Sequence, residues 1–322
     1  MILTVTPNPA LDLTWHVDAL TVGGTHRADA GASRAGGKGL NVARVAHAQG
    51  AAVRALTTVG GRTGEEFAEE LRTSGVPHAL VPVAGATRRS IALVDAALGD
   101  TTIVNERGVN PSDAEWAAVV AAVVDTVAGA GVLVLSGSLP PGAPESLLPV
   151  LITVGRDAGA TVIVDTSGPA LLRAADAGAT VLKPNRAELV EATGLSDPIA
   201  GARELLSRGA ALVLLSLGAD GMLAVTASDL LHARLDVPLA GNPTGAGDAA
   251  VAAVAHLFDT GEQDPEALLR RATAWSAAAV LMPLAGDIAP TWPALAQQLI
   301  VSRPDPASFA PSPAPSLRKD PA

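Results

Sequence analysis

Short runs of β-branched and aliphatic residues alternate with longer segments rich in alanine and leucine along most of the chain. The short runs predict strands, at residues 2–6, 53–59, 132–136, 161–165, 180–183 and 211–216. The longer segments predict helices, at residues 38–49, 63–74, 112–127, 144–158, 187–193, 198–208, 246–258, 265–281 and 291–301. Strands that alternate with helices form right-handed crossovers. The pattern therefore predicts an α/β fold with a mostly parallel sheet that is covered on both faces.

Two segments interrupt this alternation. Residues 11–33 and 87–105 have strand-like patterning and lack a helical period, and they contain the turn pairs Gly23-Gly24 and Gly99-Asp100. We expect them to add strands that form a small sheet over the active edge of the main domain. The insertions therefore predict a lid.

The C-terminal segment, residues 303–322, contains six prolines. Proline has no backbone N–H, so this segment has few donors for a strand ladder. We expect one folded domain over residues 1–302, followed by a disordered or polyproline-like tail over residues 303–322.

Composition excludes several classes of function. The 32 acidic residues exceed the 22 basic ones, which argues against a nucleic-acid partner because phosphate backbones are bound by clustered lysine and arginine. Cysteine is absent, which removes disulfide scaffolds, thiolate metal sites and cysteine nucleophiles. The most apolar region, residues 117–135, is interrupted by Asp125, Gly129 and Gly131, so it does not predict a membrane span. The N-terminus lacks a secretory pattern, and we expect a cytoplasmic protein without a membrane partner.

The segment Thr244-Gly-Ala-Gly-Asp248 precedes an Ala/Val-rich helical run. Small residues at a helix start let backbone N–H groups point at one spot, which can stabilise an anion such as a transferring phosphoryl group. Asp248 lies in the first helical turn, where its carboxylate can accept a proton from an attacking hydroxyl. The alternative is a helix cap and a turn without chemistry.

A second glycine-rich segment, Ala35-Gly-Gly-Lys-Gly-Leu-Asn41, also opens a predicted helix. Gly36 and Gly37 allow a ligand to approach the backbone, Lys38 adds a positive charge, and Asn41 adds a donor and an acceptor. The spacing is not that of a Walker A loop. Taken alone, the segment is equally consistent with an ordinary helix start.

A third segment, Lys183-Pro-Asn-Arg-Ala-Glu188, directly follows a predicted strand. Asn185 and Glu188 are three residues apart, which places both near the first turn of a helix. Such a pair can hold the water shell of Mg²⁺. A capping box, with Asn185 as the N-cap and Glu188 as its partner, is at least as good an interpretation.

Three further features are weaker. Ser216-Leu-Gly-Ala-Asp-Gly221 ends in a pair typical of hairpins, and alone it predicts only a turn. Asp12 lies near the end of the first strand, where α/β sheets bind ligands. Arg27 and Arg88 lie on the inserted segments and can bind a substrate phosphate, although both are also unremarkable as surface charges.

The order of six motifs resembles the PfkB group of ribokinase-like sugar kinases, and within it the 1-phosphofructokinase and tagatose-6-phosphate kinase branch. The motifs are Thr6-Pro-Asn-Pro-Ala-Leu-Asp12, Ala35-Gly-Gly-Lys-Gly-Leu-Asn-Val-Ala43, Ser136-Gly-Ser-Leu-Pro-Pro-Gly142, Asp165-Thr-Ser-Gly168, Lys183-Pro-Asn-Arg-Ala-Glu188 and Thr244-Gly-Ala-Gly-Asp248. The resemblance implies a ribokinase-like three-layer sandwich with a β-sheet lid. Because that lid often contributes to a dimer interface, it also implies a homodimer.

The resemblance also implies a role for each candidate residue, with ATP and Mg²⁺ as the cofactors. Asp248 is the expected base, and Gly245, Ala246 and Gly247 are the expected anion hole. The expected sugar ligands are Asp12, Gly36, Gly37, Lys38, Asn41 and Ser136, with Arg27, Lys38 and Arg88 on the sugar phosphate. The expected nucleotide ligands are Lys183, Asn185, Ser216, Gly218, Gly221, Gly245 and Gly247, with Asn185 and Glu188 holding Mg²⁺ through water.

The implied substrate is a ketohexose monophosphate, with fructose 1-phosphate first and tagatose 6-phosphate or fructose 6-phosphate next. Ser90-Ile-Ala92 is closer to the tagatose-6-phosphate kinase pattern, whereas Asn105 is typical of 1-phosphofructokinases. One alternative is a kinase for an unphosphorylated sugar or nucleoside. A neutral substrate of that kind would not offset the free-energy cost of burying Arg27, Lys38 and Arg88 without partners. Another is a catalytically silent sugar-phosphate sensor, against which the presence of Asp248 argues.

Overall fold

The computed structural model describes residues 1–237 and 239–309. The strands are β1 (Ile2–Thr6), β2 (Ala10–Val17), β3 (Ala32–Gly36), β4 (Val53–Val59), β5 (His78–Pro82), β6 (Arg88–Asp95), β7 (Asp100–Asn105), β8 (Val132–Ser136), β9 (Thr161–Asp165), β10 (Val181–Leu182), β11 (Leu212–Ser216), β12 (Met222–Val225), β13 (Leu230–Arg234) and β14 (Ile300–Ser302). The helices are α1 (Lys38–Ala48), α2 (Gly61–Thr73), α3 (Asp113–Val127), α4 (Leu147–Asp157), α5 (Pro169–Asp176), α6 (Arg186–Thr193), α7 (Pro198–Arg208), α8 (Ala246–Asp259), α9 (Pro265–Val280) and α10 (Trp292–Gln298).

The main sheet has ten strands in the order β14-β13-β12-β11-β10-β9-β8-β1-β4-β5. Neighbouring strands from β11 to β5 run parallel, and β12 to β14 extend the sheet antiparallel. The chain leaves β1 toward β4 on one side and returns to β8 on the other. In such sheets, the crevice at the carboxyl ends of the strands beside this reversal is where ligands bind.

Helices cover both faces of this sheet. Along β1, Ile2 belongs to a core that includes residues of α1, α8 and α9, and Leu3 belongs to a second core that includes residues of α3, α4, α5 and α7. Successive side chains of a strand point to opposite faces, so the two cores lie on opposite sides of the sheet. The predicted three-layer α/β sandwich is confirmed.

Helix α8 is buried on all sides, because every residue from 248 to 255 is buried. Most of these residues are alanine, whose small side chain lets α8 pack closely against α1 and α9. Close packing fixes the N-terminus of α8 and therefore the position of Asp248.

The predicted lid is also present, as a separate four-stranded sheet in the order β3-β2-β6-β7. Its strands come from residues 10–17, 32–36, 88–95 and 100–105, and residues 18–31 between β2 and β3 form an exposed loop. The first insertion therefore contains less strand than predicted, because Gly23, at a φ of 81°, and its neighbours form a turn. Arg34 ties the lid to the body, donating to both carboxylate oxygens of Asp287 at 2.8 and 3.1 Å.

Several elements differ from the sequence prediction, among them β12 and β13, which were not predicted as strands. The helix predicted over residues 291–301 ends at Gln298, and Ile300–Ser302 form β14 at the edge of the main sheet. The β-branched pair Ile300-Val301 favours this strand. Helix α5 and edge strand β5 were not predicted; both are short and contain proline.

The beginning of the predicted tail is ordered against the domain. Arg303 pairs with Asp229, and the ring of Phe309 lies edge-on to that of His232 at 5.3 Å. The predicted disorder over residues 310–322 lies outside the described residues, and the domain boundary at residue 302 stays a prediction. Within residues 1–237 and 239–309, no helix has the length and apolar character that a membrane crossing requires.

Candidate active site

A cavity of about 1150 Å³ lies between the lid and the carboxyl ends of the parallel strands. Five of its lining residues lie at strand ends or within two residues of them, following β1, β8, β9, β10 and β11: Asn8, Gly137, Asp165, Lys183 and Ser216. Parallel strands place their carboxyl ends on one sheet edge. Residues that are far apart in sequence therefore meet in this cavity.

Asp248 lies at the bottom of the cavity, in the first turn of α8, and is 5% exposed. Asn41 of α1 donates a hydrogen bond from Nδ2 to Asp248 Oδ2 at 2.8 Å. Burial raises the pKa of Asp248 to about 7, although the Lys38 ammonium acts in the opposite direction. A carboxyl group with this pKa can accept a proton at neutral pH.

The turn before Asp248 forms the start of α8. Gly245 is its N-cap, with a φ of 84°, and a Cβ at this position would lie 2.8 Å from the Cβ of Ala285. Both the left-handed backbone and the close approach require glycine. Gly245, Ala246 and Gly247 all line the cavity, so the N–H groups that a helix start leaves without helical partners are available to an anion there.

A cluster of two lysines and two carboxylates lies beside this turn. Lys38 Nζ is 3.2 Å from Asp165 Oδ1 and 3.4 Å from Glu188 Oε1, and Lys183 Nζ is 3.6 Å from Asp165 Oδ2. Burial disfavours the charged form of Lys38, but Asp165 and then Glu188 outweigh it, so the pKa of Lys38 is raised and the side chain is a cation. Asp165 Oδ2 is buried and accepts no hydrogen bond from the described residues.

The capping-box interpretation of Asn185 and Glu188 is confirmed. Asn185 Oδ1 accepts from the Glu188 N–H, and Glu188 Oε2 accepts from the Asn185 N–H, both at 2.9 Å. The other carboxylate oxygen of Glu188 faces Lys38, and both residues line the cavity. The cap therefore orients a carboxylate toward the site, and the two interpretations of this motif are compatible.

At the lid end of the cavity, Asp12 and Arg88 lie on neighbouring strands. Burial raises the pKa of Asp12 to about 6, opposed by the charges of Arg88 and Arg34. Arg88 donates to the backbone oxygens of Asn8 and Glu106, at 3.3 and 3.2 Å. Backbone contacts hold this guanidinium while its charge remains available to an anion.

Most of the predicted site residues line this one cavity: Asp12, Gly37, Lys38, Asn41, Arg88, Lys183, Asn185, Glu188, Ser216, Gly218, Gly221, Gly245, Ala246, Gly247 and Asp248. Three do not. Arg27 lies in the exposed loop of residues 18–31. Gly36 lies behind Asp12, and Ser136 is buried beneath the cavity wall, with Oγ unpartnered among the described residues. The structure therefore does not support direct sugar contacts by these three within one chain.

Sequence reasoning missed several lining residues. Thr273 and Ala277 belong to α9, whose pattern indicates only a core helix. Asn8 could have been recognised from the sequence, because it lies inside the first motif. In the structure its Nδ2 donates hydrogen bonds to Arg107 O and Ser138 Oγ at 3.1 and 3.3 Å. Arg107 lies beyond every motif.

Comparison with known proteins agrees with this geometry. The sequence profile of the pfkB family of carbohydrate kinases matches residues 6–292. The chain belongs to the PfkB family. As a PfkB carbohydrate kinase it is a phosphotransferase with an alcohol acceptor.

Relatives within the PfkB family include a 1-phosphofructokinase of Xanthomonas campestris pv. campestris, 38% identical over 85% of this chain and 89% of that protein. A possible 1-phosphofructokinase from Thermotoga maritima has a similar structure, with a TM-score of 0.87 and 25% identity over 95% of this chain and 100% of that one. Phosphofructokinase-2 from Escherichia coli, in complex with fructose-6-phosphate, has a TM-score of 0.80 and 31% identity over 87% and 93% of the two chains.

Proposed function

We propose that this chain transfers the γ-phosphate of ATP to a primary hydroxyl of a ketohexose monophosphate, giving a bisphosphate. One observation carries the proposal: a buried carboxylate, Asp248, lies at a glycine-rich helix start inside a cavity that extends to Arg88 on the lid. The cavity thus offers a base and an anion-binding turn at one end and a cation at the other. These are the groups that phosphoryl transfer to a phosphorylated sugar requires.

The transfer step assigns separate tasks to the two oxygens of Asp248. Asn41 holds Oδ2, which leaves Oδ1 to accept the proton of the substrate hydroxyl. The hydroxyl oxygen forms a bond to the γ-phosphorus as the bond to the bridging oxygen of ADP breaks, and ADP takes that electron pair. The N–H groups at the start of α8 stabilise the charge on the transferring group.

The lysine and carboxylate cluster fits the polyphosphate of ATP with its Mg²⁺. No group of three or more acidic or histidine side chains within residues 1–237 and 239–309 forms a complete metal site. Mg²⁺ normally uses one or two carboxylates plus substrate phosphates. Asp165, one of whose oxygens accepts no hydrogen bond from the described residues, and Glu188 suit that arrangement. Mg²⁺ when bound would neutralise phosphate charge, with Asn185 and Glu188 holding its water shell, while Lys38 and Lys183 supply fixed positive charge.

Fructose 1-phosphate is the first proposed acceptor, followed by tagatose 6-phosphate and fructose 6-phosphate. The relatives named 1-phosphofructokinase support the first place of fructose 1-phosphate. The two residues whose subfamily signals differ, Ser90 and Asn105, are direct partners on neighbouring lid strands and line the same cavity. We therefore expect this patch of the lid to contribute to the choice among the three phosphosugars.

A coupled assay of ADP release, with ATP and Mg²⁺, tests the function. We expect a clear preference in kcat/KM for one of the three phosphosugars over fructose and ribose. Absence of ADP release with all three would contradict the proposal. Tight phosphosugar binding in calorimetry without any turnover would indicate a silent sensor instead.

Arg88→Ala is expected to raise KM for the phosphosugar about 30-fold while kcat and KM for ATP change by less than about threefold. The reason is the loss of charge-assisted hydrogen bonds to the sugar phosphate, each of which contributes about 1.5–3 kcal/mol. Steady-state kinetics with each substrate varied in turn measures the effect. Arg89→Ala is the matched control, since Arg89 is exposed and does not line the cavity. An effect confined to ATP would show that Arg88 is misassigned.

We also propose a cytoplasmic homodimer that forms through the lid. On the lid face away from the cavity, Ile91 and Val104 are direct partners on neighbouring strands, and Val104 is 57% exposed. Covering such a face favours association. Light scattering after size exclusion should give twice the 32.1 kDa chain mass, and a monomer would contradict the dimer. Any role of Arg27 in phosphate binding stays a prediction.

A further inference from the structure

Arg107 lies in the connection between β7 and α3 and lines the cavity. Its side chain is exposed and has no hydrogen-bond or ion-pair partner among residues 1–237 and 239–309. The two lysines in the same cavity, Lys38 and Lys183, are both paired with Asp165. Arg107 is therefore a cation that lines this cavity and forms no ion pair within the described residues, although the neighbouring Glu106 lines the cavity as well.

The backbone that carries Arg107 is fixed on both sides. Asn8 Nδ2 donates to Arg107 O at 3.1 Å. Glu106 accepts from the Arg89 N–H through Oε2 at 2.7 Å and from Arg88 Nη1 through its backbone oxygen at 3.2 Å. Gly108, with a φ of 86°, packs so closely that a Cβ would lie 2.4 Å from Asn8 Oδ1.

These contacts place the two arginines together. Glu106, the residue before Arg107, is hydrogen-bonded to Arg88, so the two guanidinium groups extend from adjoining backbone at the lid end. Neither group lies within ion-pair distance of a carboxylate in the described part of the chain, although Asp12 and Glu106 act on Arg88 from farther away. Two such groups suit a dianion such as a phosphate monoester. A neutral acceptor would offer neither guanidinium group an anion.

We propose that Arg107 binds the phosphate of the acceptor sugar together with Arg88, and thereby selects phosphorylated over unphosphorylated sugars. This inference rests on the proposed function. Within one chain, Arg107 would then have the phosphate-binding role that the sequence analysis gave to Arg27.

The test compares Arg107→Ala, Arg107→Lys and wild type, using the phosphosugar that the wild-type protein prefers. Arg107→Ala should raise KM for that sugar about tenfold and weaken competitive inhibition by inorganic phosphate by a similar factor. KM for ATP and kcat should stay within about twofold, and Arg107→Lys should recover part of the affinity. Arg203→Ala is the matched control, because Arg203 is an exposed arginine of α7 away from the cavity.

Two results would overturn the inference. One is an unchanged KM in Arg107→Ala of an active enzyme, and the other is an equal rise for fructose, which would indicate a general effect on the lid. Calorimetry with each of the three phosphosugars separates the inference from the proposed function, because it needs no turnover. Binding that is lost in Arg107→Ala supports the inference even if wild type releases no ADP, whereas failure of wild type to bind any phosphosugar contradicts both.

Discussion

Asp248→Asn is expected to lower kcat about 10³-fold while the Kd for the phosphosugar changes by less than about threefold. Asparagine keeps the shape of the side chain, but it cannot accept the hydroxyl proton, and base catalysis of this kind contributes about 10²–10⁴-fold. The fold should survive, since the substitution removes a buried carboxyl whose charged form is disfavoured by its surroundings. Kinetics measures kcat, and calorimetry measures the Kd.

The pH dependence of kcat/KM is a second test of Asp248 as the base. Burial raises the pKa of Asp248 to about 7, and only the deprotonated form can act as the base. The kcat/KM of wild type should therefore fall about tenfold per pH unit below pH 7 and level off above it. Asp125→Asn, at an exposed position of α3, is the control and should match wild type. An Asp248→Asn variant with nearly normal kcat would show that the base is another group.

The sequence predicts most of the fold because its strands are short β-branched runs between helix-length segments. Strands β1, β4, β8 and β9 have the predicted bounds. The edge strand β5 could not be recognised, since His78 and Pro82 weaken its strand pattern. The sequence prediction also extended α10 through Val301 although the β-branched pair Ile300-Val301 favours a strand, and the tertiary pairing with β13 decides for the strand.

The parts of the site that a local sequence pattern determines were predictable. The capping box of Asn185 and Glu188 follows from their spacing, and the start of α8 follows from Gly245 and its neighbours. The partners of Lys38 did not follow, because Asp165 is 127 residues away and only the sheet brings them together. The resemblance pointed to Arg27, whereas no motif contains Arg107, and only the fold shows that Arg27 lies in an exposed loop and that Arg107 lines the cavity.

Gly36→Ala is expected to raise KM for the phosphosugar about 100-fold and to leave KM for ATP within about twofold. A Cβ at this position would lie 1.9 Å from Asp12 Oδ2 and 2.4 Å from Asp12 Cγ. The φ of Gly36 is not in the left-handed region, so the alanine can adopt the backbone, and the carboxylate of Asp12 must move instead. Displacing this carboxylate removes the proposed sugar contact while the nucleotide end of the cavity is untouched.

The matched control for Gly36→Ala is Gly129→Ala. Gly129 also lacks a left-handed φ, and a Cβ there meets no atom within 4 Å in the described part of the chain. Thermal unfolding should show both variants folded, because the atoms that the new methyl group displaces in Gly36→Ala belong to the end of one side chain. Asp12→Asn should also raise KM for the phosphosugar, if the role of Gly36 is to leave room for the Asp12 carboxylate. A folded Gly36→Ala enzyme with the KM of wild type would show that Asp12 does not contact the sugar, and the absence of a side chain at position 36 would then serve the packing of the lid alone.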